Sequence, residues 1–137
     1  MTRPRRPSCR VMGLGASMLW WDERFCRTMA GAGRFVLRYD HRDTGRSVAY
    51  PPGEPGYGAA DLVADAVGVL DAHCVRTAHV AGVSAGGALG QVLAPDAPER
   101  VRSLVLISTS PVTAVAGRLP PPAIAFREFV TTATRDR

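Results

Sequence analysis

One stretch constrains the fold more than any other. Ala78-His79-Val80-Ala81-Gly82-Val83-Ser84-Ala85-Gly86-Gly87-Ala88-Leu89-Gly90 is an apolar run that enters Gly-x-Ser-x-Gly and leaves into small, helix-compatible residues. It reads as a strand that ends at a serine, turns sharply and becomes a helix at once, so that the hydroxyl stands above the sheet edge. The glycines follow from that geometry. The serine is held in a strained backbone conformation, and side chains at the two flanking glycine positions would collide with the strand and helix closing around it. Because the helix begins at the serine, its first free N–H groups face an oxyanion. Ser84 is the candidate nucleophile, the Ala85 N–H a candidate oxyanion donor, and Gly82 and Gly86 the glycines that permit the turn. Taken alone, the five-residue pattern also suits a dinucleotide or phosphate site, or close packing; the strand before it and the helix after it favour the nucleophile.

Length and charge bound the remaining choices. A chain of 137 residues is one domain by length, able to bury on the order of two-thirds of its unfolded surface. With 46% hydrophobic and 21% charged residues it is globular, and no apolar stretch is long enough to span a membrane. The net charge of +5 is carried by arginine alone, since lysine is absent. Arg3, Arg5, Arg6 and Arg10 crowd the first ten residues, and without them the balance is near neutral, so no nucleic-acid partner is expected. Cys9, Cys26 and Cys74 are odd in number and show no metal-ligand spacing. Reduced thiols in a cytoplasmic protein, with no metal, are the expectation. The alternative is a leader, since Met1 to Arg10, with its Arg5-Arg6 pair, precedes the apolar but glycine-rich run Val11 to Trp21.

In chain order, residues 1–10 read as a basic tail. Val11-Met12 ends a strand leading into Gly13-Leu14-Gly15, although Pro7, Ser8, Cys9 and Arg10 make a poor apolar run before it. A strand buried on both faces tolerates an unpaired arginine badly. Ser17 or Asp22 caps the helix that follows, in which Trp21, Phe25 and Met29 recur at helical spacing before Gly31 and Gly33. Trp20 and Trp21 are core residues, or one of them lines a pocket mouth. Phe35 to Tyr39 is a strand, and Asp40 to Gly58 an irregular loop. Tyr57 to Ala72 carries Leu62, Val63, Ala66, Val69 and Leu70 on one helical face, with Asp61, Asp65 and Asp71 on a solvated one. Thr77 to Val83 is the strand before the serine, Ala85 to Leu93 its helix, and Pro95 to Pro98 a stop. Val101 to Ile107 reads as a strand buried on both faces, and Ala123 to Thr132 as one further helix. Alternation of strand and helix predicts an α/β architecture with a parallel sheet.

Together these residues resemble the α/β-hydrolase superfamily, in particular bacterial aclacinomycin methylesterase-like esterases and their non-haem haloperoxidase relatives. Val11 to Ala16, Arg38 to Ser47, Gly82 to Gly87 and Pro98 to Ile107 carry the resemblance. It implies a partial α/β-hydrolase fold, with a core over 11–112, a linker and the start of a cap-like helical segment over 113–137, and the remaining cap and C-terminal strands absent. It also implies a small-molecule ester substrate, an acyl-serine intermediate and no cofactor. The loop Met12 to Gly15 corresponds to the family's His-Gly loop, with Met12 in place of the usual histidine and the Leu14 N–H as second oxyanion donor. Asp40, Arg42, Gly45 and Ser47 match a structural Asp-x-Arg-x-x-Gly-x-Ser loop, within which His41 is a loop residue and position 43 is more often glycine.

The family order is Ser, then Asp or Glu, then His, yet His41, His73 and His79 all precede Ser84. His79 is expected to lie along the sheet. Of the later carboxylates, Asp96, Glu99, Glu128 and Asp136, none falls just after a core strand. Losing the histidine of such a triad costs on the order of a million-fold in turnover, so the chain is expected to be catalytically incomplete. The alternatives are a non-catalytic protein that kept the sheet for binding, or for self-association through exposed sheet edges, and a dinucleotide fold using Gly13-x-Gly15 with Asp40 on the ribose. In that last reading Met18 stands where the third glycine belongs.

Overall fold

Strand β1 (Arg6–Val11) runs between β2 (Arg34–Arg38) and β3 (Ala78–Val83), and β4 (Val101–Ile107) lies beyond β3, all parallel in the order β2-β1-β3-β4. The structure is a computed structural model and describes residues 6–13 and 15–112. Parallel neighbours need crossovers, and α1 (Glu23–Gly31), α2 (Ala59–Ala72) and α3 (Ala85–Asp96) supply them. The expected alternation of strand and helix is thus the observed one.

Side chains alternate across the sheet. Cys9, Val11, Leu37, Ala78 and Val80 point to the face where α2 and α3 contribute Ala66, Leu70, Leu89 and Leu93, and these residues form the core. Leu70 is almost fully enclosed, a burial that stabilises by roughly 1.5–3 kcal/mol. Asp22 caps α1 by accepting the N–H groups of Arg24 and Phe25, while Ser17 caps a separate 3₁₀ turn at Met18–Trp20. Of the two candidates for the cap of α1, Asp22 is therefore the one, and Ser17 serves a separate turn. Pro95 falls inside the last turn of α3, where its missing N–H and its ring weaken the turn that ends the helix.

Two expectations are corrected here. The first strand begins at Arg6, so residues 6–10 belong to the sheet and not to a tail. Arg10 is only 6% exposed within it. Its guanidinium lies 5.7 Å from the Trp21 ring centre and 5.9 Å from that of Phe25, so aromatic faces replace the missing anion. Burial still holds the guanidinium below its usual pKa, with Cys26 and Cys9 opposing and Arg34 adding to the effect. The second correction concerns β4. Read as buried on both faces, it is the edge strand among the described residues, with Val105 52% and Leu106 45% exposed. Only β3 pairs with it among the described residues, and only α3 covers it closely, with the Leu104 Cδ1 2.7 Å from where a Cβ on Gly90 would sit. A continuous apolar run signals burial only when neighbours exist on both sides. The expected linker and helix over 113–137 lie outside the described residues, as do residues 1–5.

Candidate active site

The chain leaves β1 outward to β2, then returns across β1 to β3, so the strand order reverses between β1 and β3. At such a reversal the loops beyond the carboxyl ends of the two strands diverge and open a crevice. Ser84 stands at the end of β3 and Gly13 just beyond the end of β1, and these two strands are paired with Val11 opposite Gly82.

Ser84 has φ 51° and ψ −119° and is exposed. Non-glycine residues seldom adopt this conformation, which costs roughly 1–3 kcal/mol. The surroundings enforce it. The Ser84 N–H donates to the Ile107 carbonyl at 2.9 Å, and the Ser84 carbonyl accepts from Gly87 N–H at 2.9 Å and Ala88 N–H at 3.1 Å. A Cβ on Gly82 would overlap the Gly86 carbonyl, and one on Gly86 would meet Met12 O at 2.5 Å and the Val11 carbonyl carbon at 2.7 Å. Both glycines are thus required by close backbone approach. Ala85 opens α3, so its N–H has no acceptor within the helix. Leu14 lies outside the described residues. Its neighbour Gly13 faces the serine, and a Cβ there would sit 3.3 Å from Ser84 Cβ and 3.9 Å from Oγ.

No histidine reaches Ser84 within the described residues. His41 is buried, and its Nε2–H donates to Met12 O at 3.1 Å. His79 lies along the sheet, its Nδ1 2.8 Å from Ser103 Oγ; burial lowers its pKa, and Arg34, Arg102, Arg6 and Arg10 lower it further. His73 ends α2, its ring edge-on to Phe35 at 6.1 Å. Asp96 ends α3, and Glu99 sits in the turn that precedes β4, at the amino ends of the strands, opposite to Ser84. Glu128 and Asp136 fall outside the described residues.

The loop after β2 is tied together side chain by side chain. Asp40 accepts from Met18 N–H at 2.7 Å and Arg46 N–H at 3.1 Å, and Ser47 Oγ–H donates to the Asp40 carbonyl at 2.9 Å. Burial alone would raise the Asp40 pKa, but the N–H groups of Met18 and Arg46, the Ser17 hydroxyl and the Arg46 charge together hold it below the usual range. Gly45, at φ 53°, leaves no room for a Cβ against that carboxylate. Arg42 grips Asp65 on α2 through two bonds of 2.7 and 2.9 Å, which raises its pKa, and stacks on Tyr57 at 5.6 Å. The aspartates of α2 are therefore not a merely solvated face. Asp65 takes Arg42, Asp71 takes Arg100 at 2.5 Å, and Asp61 accepts the Gly58 N–H at 2.8 Å. Asp40, on which the dinucleotide alternative relied, is engaged by this loop. An open cleft of about 880 Å³ beside α2, lined by Met18, Asp40, Arg42, Tyr50 and Asp65, does not include Ser84.

The sequence reading missed Gln91. Its Nε2–H donates to Ser110 O at 3.0 Å, and its Oε1 accepts from Val112 N–H at 3.3 Å, fixing the segment after β4 beside the serine's helix. A lone amide between Leu89 and Leu93 was the available signal. Leu19 and Trp20 are exposed, Trp20 at 75%. Trp21 stacks on Phe25 at 6.0 Å, which divides the two tryptophans between surface and packing.

A parallel sheet whose order reverses beside a strained serine, at a strand-to-helix turn closed by two glycines, defines an α/β hydrolase. The chain belongs to that family: the family model described as the alpha/beta hydrolase fold matches residues 11–132. It is 48% identical over 101 residues to rhodomycin D methylesterase of a Streptomyces species (strain C5), covering 74% of this chain and 34% of that protein. It is 42% identical over 96 residues to a protein of Variovorax paradoxus named as a carbamate hydrolase, covering 70% of this chain and 35% of that one. A solved structure from Mycobacterium tuberculosis named as a non-heme bromoperoxidase superposes with TM-score 0.73 at 27% identity, over 93% of this chain and 42% of its own. The chain thus spans about a third of the length of the curated relatives it matches.

Proposed function

We propose that this chain carries the nucleophile-bearing part of a carboxylic-ester hydrolase acting on a small-molecule ester, with Ser84 as nucleophile. The observation that carries the reading is the backbone of Ser84, at φ 51° and ψ −119°, exposed at the first turn of α3. Ser84 Oγ attacks the ester carbonyl, the oxyanion is held by the N–H groups of Ala85 and Leu14, the alcohol leaves, and water releases the acid from acyl-Ser84. Each such donor is worth on the order of 10²–10³ in turnover. The relative named as a methylesterase favours a methyl ester; the one named as a carbamate hydrolase favours attack on a related acyl carbon. No cofactor takes part. The base and its carboxylate partner come from outside the described residues, and the 137 residues alone turn over slowly. Cys9, Cys26 and Cys74, all free thiols, fit a reducing cytoplasm.

The experiment is intact mass of the endogenous protein after a fluorophosphonate that captures activated serines. Labelling lost in Ser84→Ala supports the mechanism; labelling that survives the substitution, or none in the natural protein, rejects it.

A second reading has its own observation. Val105, Leu106 and Ile107 are exposed on the edge strand β4, which suits a protein that associates with a second copy through that edge instead of catalysing.

A further inference from the structure

We propose that His41 is a positioning residue, setting the Met12–Gly13 peptide against Ser84 through its Nε2–H bond to the Met12 carbonyl; the inference rests on the reading of Ser84 given above. His41 lies in the loop beyond β2 and is only 7% exposed, with Nε2 3.1 Å from Met12 O. A carbonyl can only accept. Nε2 must therefore carry a proton, which leaves Nδ1 as the ring nitrogen without a role in this bond. That Nδ1 is buried with no partner among the described residues. A side chain chosen for packing alone would not be an imidazole with one nitrogen unpaired; phenylalanine would fill the space.

The imidazole is held firmly enough to act as a fixed donor. Its ring meets Tyr39 edge-on at 5.1 Å, and its own carbonyl accepts from Thr44 Oγ1–H at 2.8 Å and Thr44 N–H at 3.1 Å. Met12 O sits where a Cβ on Gly86 would meet it at 2.5 Å, so the atom His41 holds is wedged against the helix of the serine. The peptide is planar and trans, so fixing the Met12 carbonyl fixes the Gly13 N–H on the opposite side of the same plane. Gly13 is the residue that faces Ser84. His41 thus acts on the site through one peptide, without touching a substrate.

The test compares His41→Phe, which keeps a ring against Tyr39 and removes the donor, with His41→Gln, whose amide N–H can reach the same carbonyl. The primary readout is the Gly13 backbone amide resonance and its hydrogen exchange in the natural protein. The expected result is a displaced, faster-exchanging Gly13 amide in His41→Phe and a near-native one in His41→Gln. Fluorophosphonate labelling should fall by about 10- to 100-fold in His41→Phe, the penalty of a displacement up to about 1 Å at a reacting centre, and recover in His41→Gln. An unmoved Gly13 amide in His41→Phe, or an equal disturbance in both variants, overturns the proposal. If Gly13 responds as expected but the natural protein takes no label, the positioning role stands and the acyl-serine reading alone falls.

Discussion

Gly86→Ala and Gly68→Ala add the same methyl group to helical glycines and should have opposite effects. At Gly86 the new Cβ would lie 2.5 Å from Met12 O and 2.7 Å from the Val11 carbonyl carbon. Both obstacles are backbone, so no rotamer change relieves them, and α3 must move off the end of β1 by several tenths of an ångström. Overpacking of this kind costs typically about 1–3 kcal/mol, and the gain in helix propensity returns at most about 1 kcal/mol. With rigid backbone this close the cost falls at the upper end of that range, and strain wins by about 2 kcal/mol. At Gly68, in the middle of α2, a Cβ meets nothing within 4 Å, so only the propensity term remains and the variant gains roughly 0.5–1 kcal/mol. Urea unfolding followed by circular dichroism gives both numbers, provided the slope of the transition is unchanged. Because the displaced atoms are those that hold Gly13 against Ser84, Gly86→Ala should also slow fluorophosphonate labelling by more than its stability loss explains. A Gly86→Ala midpoint equal to or above that of the natural protein would refute the close-approach argument. A Gly68→Ala midpoint below it would refute the propensity argument.

Three further outcomes are expected. Ser84→Gly relieves the strain at φ 51° and should raise stability by about 1 kcal/mol in chemical denaturation while abolishing labelling; an unchanged or lower stability would show that the serine is unstrained. His79, whose folded pKa lies below 6.5 through burial and then Arg34, Arg102, Arg6 and Arg10, binds fewer protons folded than unfolded. Stability should therefore fall as pH drops below about 6.5, and His79→Gln should flatten that part of the profile; an equal slope in both proteins would remove His79 as the cause. Val105→Lys should abolish any concentration-dependent association seen in sedimentation, and association that survives it would move the interface off β4.

How far the fold was legible depended on where neighbours enter. The sequence of strands and helices was readable because periodicity is a local property, and so was the cap at Asp22, whereas Ser17 caps a short turn that periodicity did not reveal. The start of β1 was not, because Arg10 is compatible with a strand only when Trp21 and Phe25 fold over it, and that contact is tertiary. The four apolar residues Leu104 to Ile107 announced a strand correctly and its burial wrongly. At the site, Gly-x-Ser-x-Gly named Ser84, Gly82 and Gly86 because strain and close approach select residue types directly. His41 acts through a backbone carbonyl, which leaves no mark on sequence, whereas Gln91 showed itself only as a lone amide among apolar residues.

By itself, then, the chain determined the strand-turn-helix at Ser84 and the family to which it belongs, since both are written in glycine spacing and local hydrophobic period. Only the tertiary structure decided that β1 and β3 lie side by side, that Gly13 meets Ser84, that His41 holds Met12, and that β4 is the edge among the described residues. Each of these is a pairing between residues far apart in the chain, fixed by backbone geometry and burial, which no local pattern records.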